Sequence, residues 1–328
     1  MTPPPPPPLI IGVSAGDGAR AALALGTLAS RAAGGTAIVT HVVPETWDHP
    51  SPARVDAEYA AFLREKAQIA LDRARTMAPA ATGLRFAARA AASPQAGLAA
   101  LARAEHAWAI VIGPAAGAPD GHVAEGPVAS ALIDSAPCPV FLAPAGYGAG
   151  YMAPATAPTT APIPRVTCCI SGSARSAATA RAAARLAARL GAPMRLLTLV
   201  ADNRQTTGPI GSSLGSSGLG GSGPGPSLVG YDAENMVTRQ FRAQAEAAHA
   251  AIRAAWPADC GVAAPDSLIA EGTDWAASLA RPDWLAGELL VVGPCRSGPV
   301  TRFFFGSDVG TIVRAAPLPC VVLPHDPA

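Results

Sequence analysis

The sequence predicts an α/β protein made of two tandem, five-stranded, doubly wound parallel-sheet domains. Three observations carry this expectation. Short apolar runs alternate with longer stretches of helical periodicity, and strands joined through helices form parallel sheets covered on both faces. The same order of elements occurs twice. The 328 residues suffice for two domains of ordinary size.

In the first copy, Leu9 to Val13 is a continuous apolar run and reads as a buried strand, with Asp17 placed to cap a helix running through Arg31. Ala37 to Val43 is a second strand. Val55 to Met77 is a long helix whose Tyr59, Phe62, Leu63, Ile69 and Leu71 recur at helical spacing. Leu84 to Ala90, a short helix from Pro94, Ala109 to Ile112, a helix after Gly126 and Val140 to Ala143 complete the unit. The second copy repeats the order with Val166 to Ile170, Arg175 to Leu190, Arg195 to Val200, Ala233 to Trp256, Ser267 to Ala270, Leu289 to Val292 and Val321 to Leu323.

The two copies align directly. Val111-Ile112-Gly113-Pro114 faces Val291-Val292-Gly293-Pro294 at an offset of 180, and Gly126 faces Gly306 at the same offset. Nearer the start of each half the offset is 157, which matches Ser14 to Ser171 and His41 to Thr198. The difference of 23 residues is a net insertion in the second copy, assigned to the Gly/Ser/Pro-rich stretch 207–230, read as a flexible loop. The expected organisation is therefore a first domain at 1–145, a Pro/Ala/Thr-rich linker at 146–164 and a second domain at 165–328.

Composition excludes several function classes. Lys and Arg number 24 against 23 Asp and Glu, a formal charge of +1, whereas proteins that track a polynucleotide carry a strong basic excess. No nucleic-acid partner is expected. Half of the residues are hydrophobic, but most of these are Ala, and no run of about 18 bulky apolar residues occurs, so no membrane partner is expected either. Met1 to Pro8 is a proline run rather than a basic-then-apolar leader, and the expected location is cytoplasmic. The six cysteines form no CxxC pair and no zinc-type cluster with histidine, so no metal is expected. Adjacent Cys168 and Cys169 lie in an apolar run where neighbouring side chains face opposite ways, the setting of buried, reduced thiols. No catalytic residues are assigned: a GxSxG elbow and a Walker A sequence are both missing.

Ligands of open parallel sheets bind beyond the carboxyl ends of the strands, where strand order reverses. The connection after the fourth strand of the second copy runs from Gly293 through Arg296, Gly298 and Arg302 to Gly306 and Ser307, then opens a helix. Such a loop presents unpaired backbone N–H groups and a positive dipole end, both suited to phosphate. Ser307 adds a hydroxyl and Arg296 a charge. The same residues also fit a plain connection in which Ser307 only caps the helix.

This loop resembles the nucleotide-binding signature of the universal stress protein family: Gly, two residues, Gly, nine residues, Gly, then Ser or Thr. Both copies are similar to it, so the resemblance covers nearly the whole chain outside the linker and the insertion. It implies a Rossmann-like fold and an adenine-nucleotide site, with ATP as the cofactor. Carried over by position, Gly293 matches the first motif glycine, Arg296 replaces the second with Gly298 displaced beside it, Gly306 matches the third, and Ser307 the hydroxyl position, next to the acidic Asp308. Val292 precedes the motif. In the first copy Gly113 and Gly126 match, but Ala116 and Pro127 replace the middle glycine and the hydroxyl residue. Pro127 has neither the hydroxyl nor the backbone donor that phosphate uses, so triphosphate binding is expected in the second copy only. Ser14 and Ser171 stand where the family usually has an Asp near the adenosine, and Val42 and Leu199 match the apolar position beside the base.

Ser171 to Ser176 also resembles the Ser-Gly-Gly-x-Asp-Ser loop of ATP pyrophosphatases, with Arg175 in the Asp position and Ser173 in that of the second Gly. Two functional readings are carried forward. One is a nucleotide-binding stress protein that passes its occupancy to a protein partner; the other is an interaction scaffold that keeps only the fold. A slow ATPase ranks behind both, because no positioned general base is visible. The resemblance further implies that the short final strands pair with each other, making the tandem chain an intramolecular pseudo-dimer about a pseudo-twofold axis.

Overall fold

The computed structural model describes residues 6–14, 16, 18–45, 55–78, 83–148, 163–173, 175–201, 228–293 and 309–325. In the first half the elements are β1 (Leu9–Gly12), α1 (Gly18–Ala32), β2 (Ala37–Pro44), α2 (Val55–Met77), β3 (Leu84–Ala91), α3 (Pro94–Ala104), β4 (Ala109–Ile112), α4 (Pro127–Ser135) and β5 (Val140–Leu142). The second half follows with β6 (Val166–Cys169), α5 (Ser176–Leu190), β7 (Met194–Ala201), α6 (Leu228–Ala254), β8 (Asp266–Gly272), α7 (Trp275–Leu279), β9 (Leu289–Val292), α8 (Val309–Ala315) and β10 (Cys320–Val322). Asp17, and with it the proposed cap of α1, lies outside the described residues, as do most of the linker and most of the insertion. Helix α6 starts five residues before the expected Ala233, and the five-residue α7 is an element that periodicity did not reveal.

The ten strands form one sheet in the order β3-β2-β1-β4-β5-β10-β9-β6-β7-β8. Every pairing is parallel except the central one, where β10 runs antiparallel to β5 with Val321 opposite Phe141. The two five-stranded, doubly wound halves are thus joined edge to edge, as the pseudo-twofold arrangement requires. Local chemistry sets the boundaries. Ser93 accepts a hydrogen bond from Ala96 N at 3.3 Å and Pro94 opens α3, while Gly191, at φ 62°, closes α5 in the left-handed conformation that glycine adopts without strain.

Each face of the sheet carries one apolar core, and each core contains residues of both halves. One gathers Leu9, Val39, Phe141, Val166 and Leu196 under α1, α2, α5 and α6; the other gathers Ile10, Leu142, Leu197 and Leu290 under α3, α4, α7 and α8. Cys168 belongs to the first core and Cys169 to the second, as alternation along a strand demands. Helix α2 corrects the expectation for its apolar face. Leu63, Ala67, Ala70, Leu71 and Ala74 are buried, whereas Tyr59, Phe62 and Ile69 are 46, 50 and 53% exposed. The alanines bring the helix close to the sheet, and the larger residues are left outside, where Lys66 Nζ lies 5.3 Å from the Phe62 ring centre.

Candidate functional site

Strand order reverses between β1 and β4 in the first half and between β6 and β9 in the second, which places a ligand crevice beyond the carboxyl end of each pair. In the first half a cavity of about 370 Å³ occupies this position. It is walled by the exits of β1, β2 and β4, the start of α1, Pro94 and Leu98 of α3, and the first turn of α4. Close backbone packing shapes its floor: a Cβ on Gly113 would sit 2.0 Å from the Gly18 carbonyl oxygen, and one on Gly18 would sit 2.6 Å from the carbonyl oxygen of Pro114. Only glycine lets β4 leave the sheet this close to the start of α1.

The polar groups on the wall are few. Ser14 is exposed, and its Oγ accepts from Gly16 N at 3.4 Å. His41 Nδ1 donates to the Val13 carbonyl at 2.9 Å, the hydrogen-bonded, partly buried setting its strand position suggests. Thr40 is buried, and its hydroxyl has no hydrogen-bond partner. Among the described residues, no Asp, Glu, Lys or Arg lines the cavity.

The connection from β4 to α4 is tied to the chain that follows β5. Ala115 N donates to Ala124 O, Gly121 N to Ala145 O, and Ala145 N to His122 O, at 3.1, 2.9 and 2.9 Å. Gly126 is the N-cap of α4 with no side chain to offer, and Pro127 fills the first helical position without an N–H. These bonds close the loop on itself and on the chain after β5.

In the second half Cys169 pairs with Leu197 on one side and Val292 on the other. That register brings four of the expected site residues, Ser171, Leu199, Val292 and Gly293, to the carboxyl edge of β6, β7 and β9. Leu199 and Val292 are buried, and Ser171 Oγ donates to Ser173 Oγ at 2.9 Å. A Cβ on Gly293 would sit 2.7 Å from Thr179 Oγ1, so β9 leaves the sheet hard against α5. The remaining expected residues, Arg296, Gly298, Gly306 and Ser307, lie outside the described residues. Two features were not anticipated. Thr40 interrupts the apolar run of β2, and its counterpart in the second copy is Leu197; the contrast between copies is the signal that would have singled it out. Arg195, in the apolar run of β7, belongs to a buried ion network with Glu288.

A model of the universal stress protein family matches residues 8–144. Universal stress proteins of Mycobacterium bovis and Mycobacterium tuberculosis are each 30% identical to the chain over 321 residues, covering 96% of it and 99% of each relative. A universal stress protein structure from Archaeoglobus fulgidus superposes with a TM-score of 0.52 at 13% identity, covering 97% of this chain and 98% of that one. A functionally unknown protein from Pseudomonas aeruginosa also gives 0.52, at 12% identity, covering 97% of this chain and 92% of that one. These two likenesses concern the fold. Among the described residues, no helix is long and apolar enough to cross a membrane.

Proposed function

The chain belongs to the universal stress protein family, and from that premise we propose that it is a nucleotide-responsive regulator of the stress response that works without turnover. Its ATP site is in the second half, where Ser171 and Leu199 flank the adenosine and Val292 and Gly293 lead into the phosphate loop of Arg296, Gly298, Gly306 and Ser307. The observation that carries this reading is the strand register that gathers Ser171, Leu199, Val292 and Gly293 at the switch point. The retained Gly306-Ser307 pair supports it, because the first copy has Gly126-Pro127 there. In this reading the domains run 1–145 and 165–328, with 146–164 as linker and 207–230 as an insertion, and occupancy is passed to a protein partner.

Calorimetric titration of the full chain with ATP tests the proposal. We expect saturable heat from the wild type, none from Gly306→Val, and phosphate release no faster than background. No heat from the wild type at millimolar ATP overturns it and leaves the scaffold reading.

A further inference from the structure

We propose that Ser267 is a nucleophile that takes up one acyl group from an activated acyl donor, with His249 as its general base. The two meet at the outer edge of the second half. Ser267 is the second residue of β8, the last strand of the sheet, and His249 lies on α6. His249 is only 2% exposed, whereas Ser267 is an exposed residue. The proton positions follow from the partners. Thr198 Oγ1 donates to the Ile170 carbonyl at 2.9 Å, so its oxygen accepts from His249 Nε2–H, also at 2.9 Å. Nδ1 is then the bare nitrogen, and the Ser267 hydroxyl donates to it. A hydroxyl bonded to a buried imidazole, whose tautomer is fixed by a third group, is the arrangement that activates serine for acyl transfer.

The first half shows that the fold does not require this pair. Ser267 pairs with Leu196 of β7, and the residue at the same register of the first half is Phe86, paired with Val39 of β2. Phe86 packs against the first core, with the Arg75 guanidinium 4.9 Å from its ring centre. One copy closes this place with an aromatic ring; the other sets an exposed hydroxyl against a buried base. Burial, and then the charge of Arg253, holds the His249 pKa below its ordinary value, which keeps the imidazole unprotonated and able to accept near neutral pH.

The chemistry selects the donor. As the Oγ–C bond forms, the bond from the acyl carbon to the leaving group breaks, and the Ser267 proton passes to Nδ1. The leaving group departs with the bonding electron pair and takes up that proton or leaves it to water. Thr198 is neutral, so it orients the imidazole without stabilising the positive charge as a carboxylate would. A base of this strength suits donors whose leaving group departs readily as an anion, such as a thioester, an acyl phosphate or an aryl ester, and not a peptide bond. Because β8 is an edge strand, backbone N–H groups along it point away from the sheet, where a carbonyl oxygen gaining charge can accept from them.

Incubating the full chain with p-nitrophenyl acetate tests this, with p-nitrophenolate release followed by colour and the acetyl group located by peptide mass mapping. The wild type is expected to release a burst of one equivalent per chain and to carry the acetyl on Ser267. Ser267→Ala should lose the burst, and because the position is exposed it should melt with the wild type, so that a lost burst is not lost folding. His249→Gln should acylate at least about tenfold more slowly. Thr198 is a positioning residue: Thr198→Val should slow the burst as well, and Thr198→Ser, which restores the acceptor for Nε2–H, should recover it. No acetyl on Ser267, a burst that persists in Ser267→Ala, or an undiminished rate at Ser267 in His249→Gln overturns the proposal.

Discussion

Glu288 is fully buried at the amino-terminal edge of the second half's sheet, and both of its oxygens are held. Oε1 accepts from Arg165 Nε and Arg195 Nη2, each at 3.0 Å, and from the Thr167 hydroxyl; Oε2 accepts from Arg165 Nη2 at 2.8 Å and Leu285 N at 2.9 Å. Arg195 in turn reaches Asp283 at 2.6 Å and lies over the Trp284 ring at 5.2 Å. A buried carboxylate repays its lost hydration only through such complete pairing, and removing one member strands the others. Glu288→Ala should therefore cost about 3–5 kcal/mol in denaturant unfolding, and a loss under about 1 kcal/mol would show that the arginines find other partners. At the equivalent positions the first half has Ile10, Ile38 and Trp108, apolar residues divided between the two cores. The network was not legible in the sequence because its members come from three elements far apart in the chain. Glycine spacing, by contrast, exposed the edge of the second-half site, since Gly293 packs against the Thr179 side chain where a Cβ does not fit, and that need leaves its trace at one position of the sequence.

Among the described residues of helix α6, His249 is the one buried polar side chain, and it packs against the sheet beside the buried Ala245 and Ile252. His249 Nε2 lies 2.9 Å from Thr198 Oγ1, and Nδ1 contacts Ser267 Oγ. Because the Thr198 hydroxyl donates to the Ile170 carbonyl at 2.9 Å, its oxygen accepts from Nε2–H, and Nδ1 is left to accept from Ser267. The neutral imidazole is thus fully satisfied. Burial, and secondarily the charge of Arg253, holds the His249 pKa below its ordinary value. The unfolded chain, with a histidine pKa of about 6.5, then takes up the proton more readily than the folded one, so this contribution is present above that pH and lost as pH falls below it. Urea unfolding at pH 7.5 and 5.5 should show the wild type losing more stability on acidification than His249→Gln, which cannot titrate; equal losses would remove His249 from the account. Strands and most helices were legible because continuous apolar runs and capping residues are local signals. Two kinds of element were harder to read: α7, too short for a helical period to register, and the inner face of α2, where alanines do the packing and larger residues face outward.

The antiparallel pairing of β5 with β10 makes one body of two repeats. It leaves neither final strand as an open edge, the hazard that short apolar strands present in isolation. Both cores run across this seam, and Trp108 strengthens it: its ring meets Phe141 edge-on at 5.7 Å, and Arg189 of α5 stacks on it from the second half at 5.4 Å. The repeat was visible in the sequence from its two offsets, 157 before the insertion and 180 after it, but the continuity of the cores was not, because it depends on contacts between copies rather than within one. If each half owned a separate core, damage to β10 would stay in the second half. With shared cores, Val321→Pro, which removes an N–H from a strand bonded on both sides, should weaken the whole molecule. Hydrogen exchange of the full chain checks this at two distant places. Protection in β1 and in β6 should fall together, because opening at the seam exposes apolar surface that both strands rely on. Unchanged protection in β1 would show that the first half is stable without its neighbour.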